Sequence, residues 1–473
     1  MTIRQLIVVS ADDFPFLPKR HKTDDPIEHK RFLVLAEKKL RELLGNFAEP
    51  FESVEIPSLH WDIQLTQKLP KDLPPLDRLV FSIGFVNRDI AAHFRKAAED
   101  GMSNSGDTKH IYGVGADISL SESEYFCPAN IDQLLFGNRA KAAALTRSAV
   151  LQQQSLTGSG VNVVVIDDGF DRRQVRHFGG GLVNLGSGSN PTVQAGGTRR
   201  GHGMMIVRNI MDAAPDATFY DVPLIPLKIS NVTSFIGHAL SAFIQLELLI
   251  GFLRVLNIPP WNGPWIIVNA WSIFDRTTEQ PLGDYTENPN HPLNITVNDM
   301  VNDGLDFVFA AGNCGQFCPD RRCGDSDIGP GHSIYGANSH PRVITTGAVR
   351  TDTRWIGSSS QGPGQPLLSP SKPDLCAPSY FREVGDAFVG NLSEPYVGDT
   401  GSPYIASTGT SAACGLTAGI VAAIRSRWTQ TVVTPDRLRT VLNQTARKTE
   451  GPNWNERLGN GIIDVEAALS ALP

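Results

Sequence analysis

Val161-Asn162-Val163-Val164-Val165-Ile166-Asp167-Asp168-Gly169 is a β-branched run closed by two carboxylates and a glycine. Consecutive rather than alternate apolar residues describe a strand buried on both faces, the habit of parallel sheets. The stretch therefore predicts an α/β fold. A carboxylate at the C-terminal end of such a strand lies at the sheet edge where sites of open α/β folds collect. An Asp-Gly turn after a strand is the plainer reading of the same residues.

Two further stretches weigh against the plain reading. Arg200-Gly201-His202-Gly203-Met204-Met205-Ile206-Val207 places a histidine between glycines at the head of an apolar helical stretch. Ser407-Thr408-Gly409-Thr410-Ser411-Ala412-Ala413 delivers a serine through a turn of small residues to the apolar run Leu416 to Ile424. A serine there can simply cap a helix, and a loop histidine is common. It also lies beside unpaired helix N–H groups, which favour negative charge developing nearby. Asp, His and Ser in that chain order is one of the recurring orders of the acid–base–nucleophile triad.

On these residues the chain resembles the subtilisin-like serine peptidases, the subtilase family. Val165 to Gly169 resembles the aspartate motif, Gly201-His202-Gly203 the histidine motif, and Gly409 to Ala413 the serine motif. Val308-Phe309-Ala310-Ala311-Gly312-Asn313 is similar to the oxyanion-hole segment. Lys372 to Pro378 resembles the strand before the serine region, and Gly459 to Ala468 the C-terminal signature. Met204 departs from the usual Thr, and Cys414 and Gly415 depart from the family pattern after the serine, so the nucleophile helix is open to starting differently. The resemblance covers roughly residues 155–473.

The resemblance implies a mostly parallel sheet flanked by helices, preceded by a smaller α/β N-terminal module in residues 1–150. It implies a serine endopeptidase with Asp167, His202 and Ser411 as the triad and Asn313 as oxyanion donor. It also implies peptide binding along Asn269, Ala270 and Trp271 and at Ala310, Ala311 and Gly312. An imidazole titrates near neutrality, so His202 can take the serine proton and return it to the leaving amine. Asp168 is open between a turn residue and a second carboxylate that binds a cation or substrate. Trp271 serves equally well as a core residue. A catalytically inactive peptide-binding relative is the alternative, although it has no need of all four groups.

No cofactor is required by this reading. Calcium is common in the family, yet the sequence has no EF-type loop or dense carboxylate cluster, and no metal residues are assigned. A net charge of −7 speaks against a dominant nucleic-acid surface. Lys19-Arg20-His21-Lys22 reads as a solvated turn. Residues 1–13 have too short an apolar core for a secretory signal and read as a first strand. Phe235 to Ile258 carries His238, Gln245, Glu247 and Arg254, which describes an amphipathic core helix rather than a membrane span. A cytoplasmic protein without membrane association is expected, with a polypeptide as substrate and a regulatory partner possible for the N-terminal module.

Cys314, Cys318 and Cys323 follow the oxyanion residue closely. They are open to three readings: reduced thiols, a local disulfide such as Cys318–Cys323, or a metal site completed by Asp325, His332 or Cys376. The spacing lacks the paired pattern of a structural zinc site, and a reducing compartment opposes a disulfide. Gly179 to Gly197 matches no phosphate-binding loop and is read as a flexible rim. His238, His291 and His340 sit in no motif and are read as structural or surface residues.

Residues 1–150 match no motif. Glu28 to Leu44 has helical spacing, Arg78 to Phe85 reads as a strand, Asp89 to Ala98 as a helix and Ala129 to Gln154 as a helix feeding the next domain. These make a small α/β module that restrains, chaperones or recruits.

Overall fold

The computed structural model describes residues 3–15, 26–45, 47–56, 59–62, 76–104, 109–119, 135–184, 193–198, 201–225, 234–382 and 406–473. Lys19 to Lys22 lie outside them.

The N-terminal part is built on strands β1 (Ile3–Ser10), β2 (Ser53–Glu55), β4 (Arg78–Phe85) and β5 (Ile111–Ala116), in the order β2-β4-β1-β5. All its pairs are antiparallel. Helices α1 (Pro26–Leu43) and α2 (Arg88–Asn104) complete a βαββαβ arrangement, the split βαβ motif. Ile7, Val9, Phe81 and Phe85 pack with Leu40 and Phe94 in its own core. Leu6, Val8 and Val80, on the other face of the same strands, join the core of the larger body. Residues 4–9 are therefore buried on both faces, which is why this strand reads apolar without alternation.

The larger body holds an eight-stranded sheet. Strands β3 (Leu59–Asp62), β6 (Asn162–Asp167), β7 (His177–Asn184), β8 (Thr218–Pro223), β9 (Trp265–Asn269), β10 (Asp306–Ala310), β11 (Ile344–Val349) and β12 (Leu375–Pro378) run in the order β12-β11-β10-β9-β6-β8-β7-β3. The first seven in that order are parallel, and β3 closes the edge antiparallel to β7. Thus the N-terminal part supplies a strand to the catalytic sheet. Val163 and Val165 face one layer of helices, and Val164 and Ile166 the other. The first layer contains α5 (His202–Met211) and α8 (Gly409–Arg425); the second contains α6 (Phe235–Val255) and α7 (Pro292–Asn302).

Helix α6 is not amphipathic. Leu246 and Phe243 pack in one core with Ile267 and Phe307 of the large sheet and with Leu6, Val8 and Val80 of the small one. A helix covered on opposite sides is apolar all round. By length and composition α6 is capable of crossing a membrane, but it is largely buried inside the fold, as a core helix is.

Other expectations need correction. The helix expected over Ala129 to Gln154 is two short ones, α3 (Arg139–Thr146) and α4 (Ala149–Gln153), separated where Arg147 takes a left-handed conformation at φ 57°. Residues 129–134 lie outside the described set. Ala142 and Leu151 pack in the core of the larger body. Gly179 to Gly181 are not a loose rim but part of β7. A Cβ on Gly179 would meet the Tyr220 ring at 2.3 Å, and one on Gly181 the Asp221 carbonyl oxygen at 1.9 Å. Glycine there serves close packing within the sheet.

Candidate active site

Asp167 ends β6, whose neighbours are β8 on one side and β9 on the other. Because the chain proceeds from β6 to both sides of the sheet, this end is a topological switch point. His202 opens α5 and Ser411 lies in the first turn of α8. The two helices pack closely because both contact positions on α8 are glycine. A Cβ on Gly415 would lie 3.0 Å from the Ile206 carbonyl oxygen, and one on Gly419 2.5 Å from that of Ile210. Gly415 thus has a packing role, and α8 still begins at Gly409, just ahead of the serine. Met204 points into the core, and Cys414 is buried there with its thiol facing the Asn269 and Val308 carbonyls.

His202 Nδ1 lies 2.8 Å from Asp167 Oδ1 and 2.9 Å from Oδ2. A carboxylate can only accept, so Nδ1 carries the proton and Nε2 of the neutral ring is left unprotonated. The His202 side chain is 43% exposed, and the protein covering the rest of it disfavours its charge. The Asp167 carboxylate, with Asp168 behind it, outweighs this and holds the imidazole above its ordinary value, with Arg322 opposing. The Ser411 hydroxyl donates to the Ala270 carbonyl at 3.1 Å.

Asn313 Oδ1 accepts the backbone N–H of Thr410 at 3.0 Å and its hydroxyl at 3.2 Å. Two donors on one atom identify it as the oxygen, which leaves the amide N–H groups available. The Thr410 hydroxyl also accepts the Gly312 N–H at 3.1 Å. One threonine therefore ties the turn before Ser411 to the segment carrying Asn313.

Of the expected substrate-binding residues, Asn269, Ala270, Trp271, Ala310 and Ala311 are all buried. The Trp271 indole packs edge-on against Phe235 and Phe309 and donates to the Asn269 side chain at 3.1 Å. It is a core residue. Ala270 reaches the site through its backbone carbonyl.

Of the three open readings the local disulfide holds, but between Cys314 and Cys323 and not the Cys318–Cys323 pair given as its example, and Cys318 is disulfide-bonded as well. The bridge closes a short loop onto Asn313, whose carbonyl accepts the Asp320 N–H at 2.9 Å. Arg322 on this loop stacks over Phe274 and pairs with Asp320. The thiol and metal readings fail for that pair; Cys376 is free and buried on β12. Among the described residues no group of three or more His, Cys, Asp or Glu side chains is placed to hold a metal ion.

His291 is buried at the head of α7, its Nδ1 accepting the Leu293 N–H at 3.2 Å and its Nε2 3.2 Å from the Ala116 carbonyl of β5. His340 is likewise buried, and His238 donates to the Ser234 carbonyl. Sequence reasoning missed the Thr410 bridge and the Ala270 contact.

The sequence matches the Subtilase family over residues 158–461. The chain belongs to that family. It is a serine peptidase, a hydrolase acting on polypeptides. Solved structures of subtilase fold resemble it. One is MycP1 from the ESX-1 type VII secretion system, with a TM-score of 0.51 and 21% identity over 76% of this chain and 92% of that one. Another is fervidolysin from Fervidobacterium pennivorans, a keratinolytic enzyme related to subtilisin, with a TM-score of 0.53 and 14% identity over 100% of this chain and 62% of that one. No curated protein matches the sequence.

Proposed function

We propose that this subtilase is an endopeptidase that cleaves extended polypeptides through an acyl-enzyme, with Ser411 as nucleophile, His202 as general base and acid, and Asp167 fixing the imidazole. The observation that carries the reading is the Asp167 carboxylate at 2.8 and 2.9 Å from His202 Nδ1, which selects the tautomer the mechanism needs. Attack by Ser411 on the scissile carbonyl passes its proton to Nε2. The Asn313 amide and the Ser411 N–H at the head of α8 meet the oxyanion. His202 then returns the proton to the departing amine, and water repeats the sequence to release the acid. Substrate lies against the backbone of Ala270 and Trp271 and of Ala310 to Gly312.

The N-terminal module is read as a restraining or propeptide-like part. Its sheet covers α6, and Arg95 pairs with Asp284 at 2.5 Å across the junction. The disulfide between Cys314 and Cys323 favours an oxidising compartment and weighs against the cytoplasmic placement drawn from residues 1–13.

The test is Ser411→Ala in the full chain. Loss of fluorophosphonate labelling and a fall in kcat on the order of 10⁶, the size of the loss when the subtilisin nucleophile is removed, are expected. A folded variant with wild-type turnover would overturn the assignment.

A further inference from the structure

Helix α5 has no cap of its own. Its N-cap residue is Gly201, which has no side chain to accept the first free N–H groups. The acceptors come from another element. Asp168 Oδ2 accepts the backbone N–H of His202 at 2.8 Å, and Asp168 Oδ1 that of Gly203 at 2.6 Å. The carboxylate is buried, and both its oxygens are engaged by the residue that carries the imidazole and the one after it. A negative group is also favoured at this end of the helix by the macrodipole.

The glycines flanking His202 follow from this. A Cβ on Gly201 would stand 2.5 Å from Asp168 Oδ2. One on Gly203 would stand 3.0 Å from Asp168 Oδ1 and 2.6 Å from the Gly169 carbonyl oxygen. The Gly-His-Gly pattern is therefore the space the second aspartate needs. The loop bearing that aspartate is held in turn, since the Thr198 hydroxyl donates to the Asp168 carbonyl at 3.2 Å.

We propose that Asp168 is a positioning residue of the peptidase reaction, holding His202 by its backbone while Asp167 holds it by its ring. The proposal rests on the triad reading above. Consecutive residues of one strand end thereby fix the imidazole at two points, and rotation about either contact alone is blocked. Asp168 touches neither substrate nor reacting atoms. The same contacts occupy the carboxylate, so it is not available to bind a cation or a substrate side chain.

The charge matters as well as the geometry. The ionisable groups acting on His202 are Asp167 and Asp168 from the end of β6 and Arg322 from the disulfide loop; Asp221 of β8 acts on the two aspartates. Asp168 favours the imidazolium and Arg322 opposes it. Burial and then the adjacent Asp167 raise the Asp168 carboxyl itself to about 7, with Asp221 affected by both aspartates. The acid limb of the pH–rate profile therefore belongs to the group rather than to the histidine alone.

The experiment compares kcat and KM across pH for the full-length wild type, Asp168→Ala and Asp168→Asn. Active enzyme is counted by fluorophosphonate labelling. The alanine variant is expected to lose about 10–100-fold in kcat with KM within about threefold, because a misplaced catalytic group costs rate rather than binding. The asparagine variant keeps one acceptor oxygen and loses the charge. Its amide NH2 then faces one of the two backbone N–H donors, so it is expected to recover only part of the lost kcat and to move the acid limb of kcat/KM down by about one pH unit. Should the alanine variant fail to fold, the shifted limb of Asp168→Asn carries the test. Wild-type kcat in Asp168→Ala, or an unmoved acid limb in Asp168→Asn, overturns the proposal. A rise in KM with kcat intact overturns it in favour of a substrate contact. Ser411→Ala separates this from failure of the triad reading. If that variant keeps turnover the triad is wrong; if it is dead while Asp168→Asn is unchanged, only the positioning role falls.

Discussion

The side chain of Thr410 stands between Asn313 and Gly312, donating its hydroxyl to Asn313 Oδ1 at 3.2 Å and accepting the Gly312 N–H at 3.1 Å. The Asn313 side chain is thus oriented by the residue immediately before Ser411, so movement of the serine turn and displacement of the Asn313 amide are coupled.

Asn313→Ala is expected to lower kcat by roughly 10²–10³ with little change in KM, since its amide acts on the transition state. Thr410→Val keeps the backbone N–H but removes the hydroxyl bridge, and a kcat loss of about tenfold is expected from a loosened donor. Steady-state kinetics on one peptide substrate decide both. A KM effect alone in Asn313→Ala would make it a binding or turn residue.

Gly419→Ala places a methyl 2.5 Å from the Ile210 carbonyl oxygen, where neither helix can yield locally. Overpacking of this kind costs about 1–3 kcal/mol, more than the alanine's helix propensity returns. Urea denaturation is expected to show that loss. Gly415→Ala, with its closest contacts at 3.0 Å, is expected to lose less. Equal stability of Gly419→Ala and wild type would show that the helices are free to separate.

Asp221 is buried on β8, and burial pushes its carboxyl up to about 8, although the Gly196 and Phe170 N–H groups work in the other direction. The folded chain therefore holds this proton more tightly than the unfolded chain, whose ordinary value is near 3.8. Its contribution is fully present below about pH 3.8 and is lost as pH rises through about 8. Asp221→Asn removes that dependence. Its stability relative to wild type is expected to climb from pH 5 to pH 9, read by urea unfolding at each pH. A difference that is flat with pH would place the ionised form comfortably in the fold.

Arg95 pairs with Asp284, which is itself buried and also accepts the Ala116 N–H at 2.5 Å. Arg95→Ala leaves that carboxylate without its cation, a change that costs on the order of 3 kcal/mol when the charge is buried. The module is expected to loosen from the body, giving faster cleavage between residues 1 and 150 by an added protease. An unchanged cleavage rate would show that the apolar contact with α6 suffices.

The parts legible in the sequence are those in which chemistry is local. Asp167, His202, Asn313 and Ser411 each sit in a short run whose residue types have one chemical use in common, and the strand at 78–85 and the helix near 28–44 follow from simple periodicity. What was not legible depends on neighbours distant in the chain. The uniform apolarity of α6 is explained only by Leu6, Val8 and Val80 lying across it. The glycines of β7 look like loop residues until Tyr220 is placed beside them. Which cysteine pairs with Cys323 is a matter of loop path, not of spacing. Asp168 had a readable signal in the two glycines around His202, but its meaning required the helix and the strand end to meet.

The two-sided burial of α6 sets a condition on any release of the N-terminal module. A body separated from residues 3–118 would present a long greasy ridge to water, formed by the helix that the module now roofs. Liberation of the enzyme and the finding of a new neighbour for that ridge are then one event. A fragment beginning after the module is a sticky particle, prone to self-association unless another apolar surface takes the vacated place.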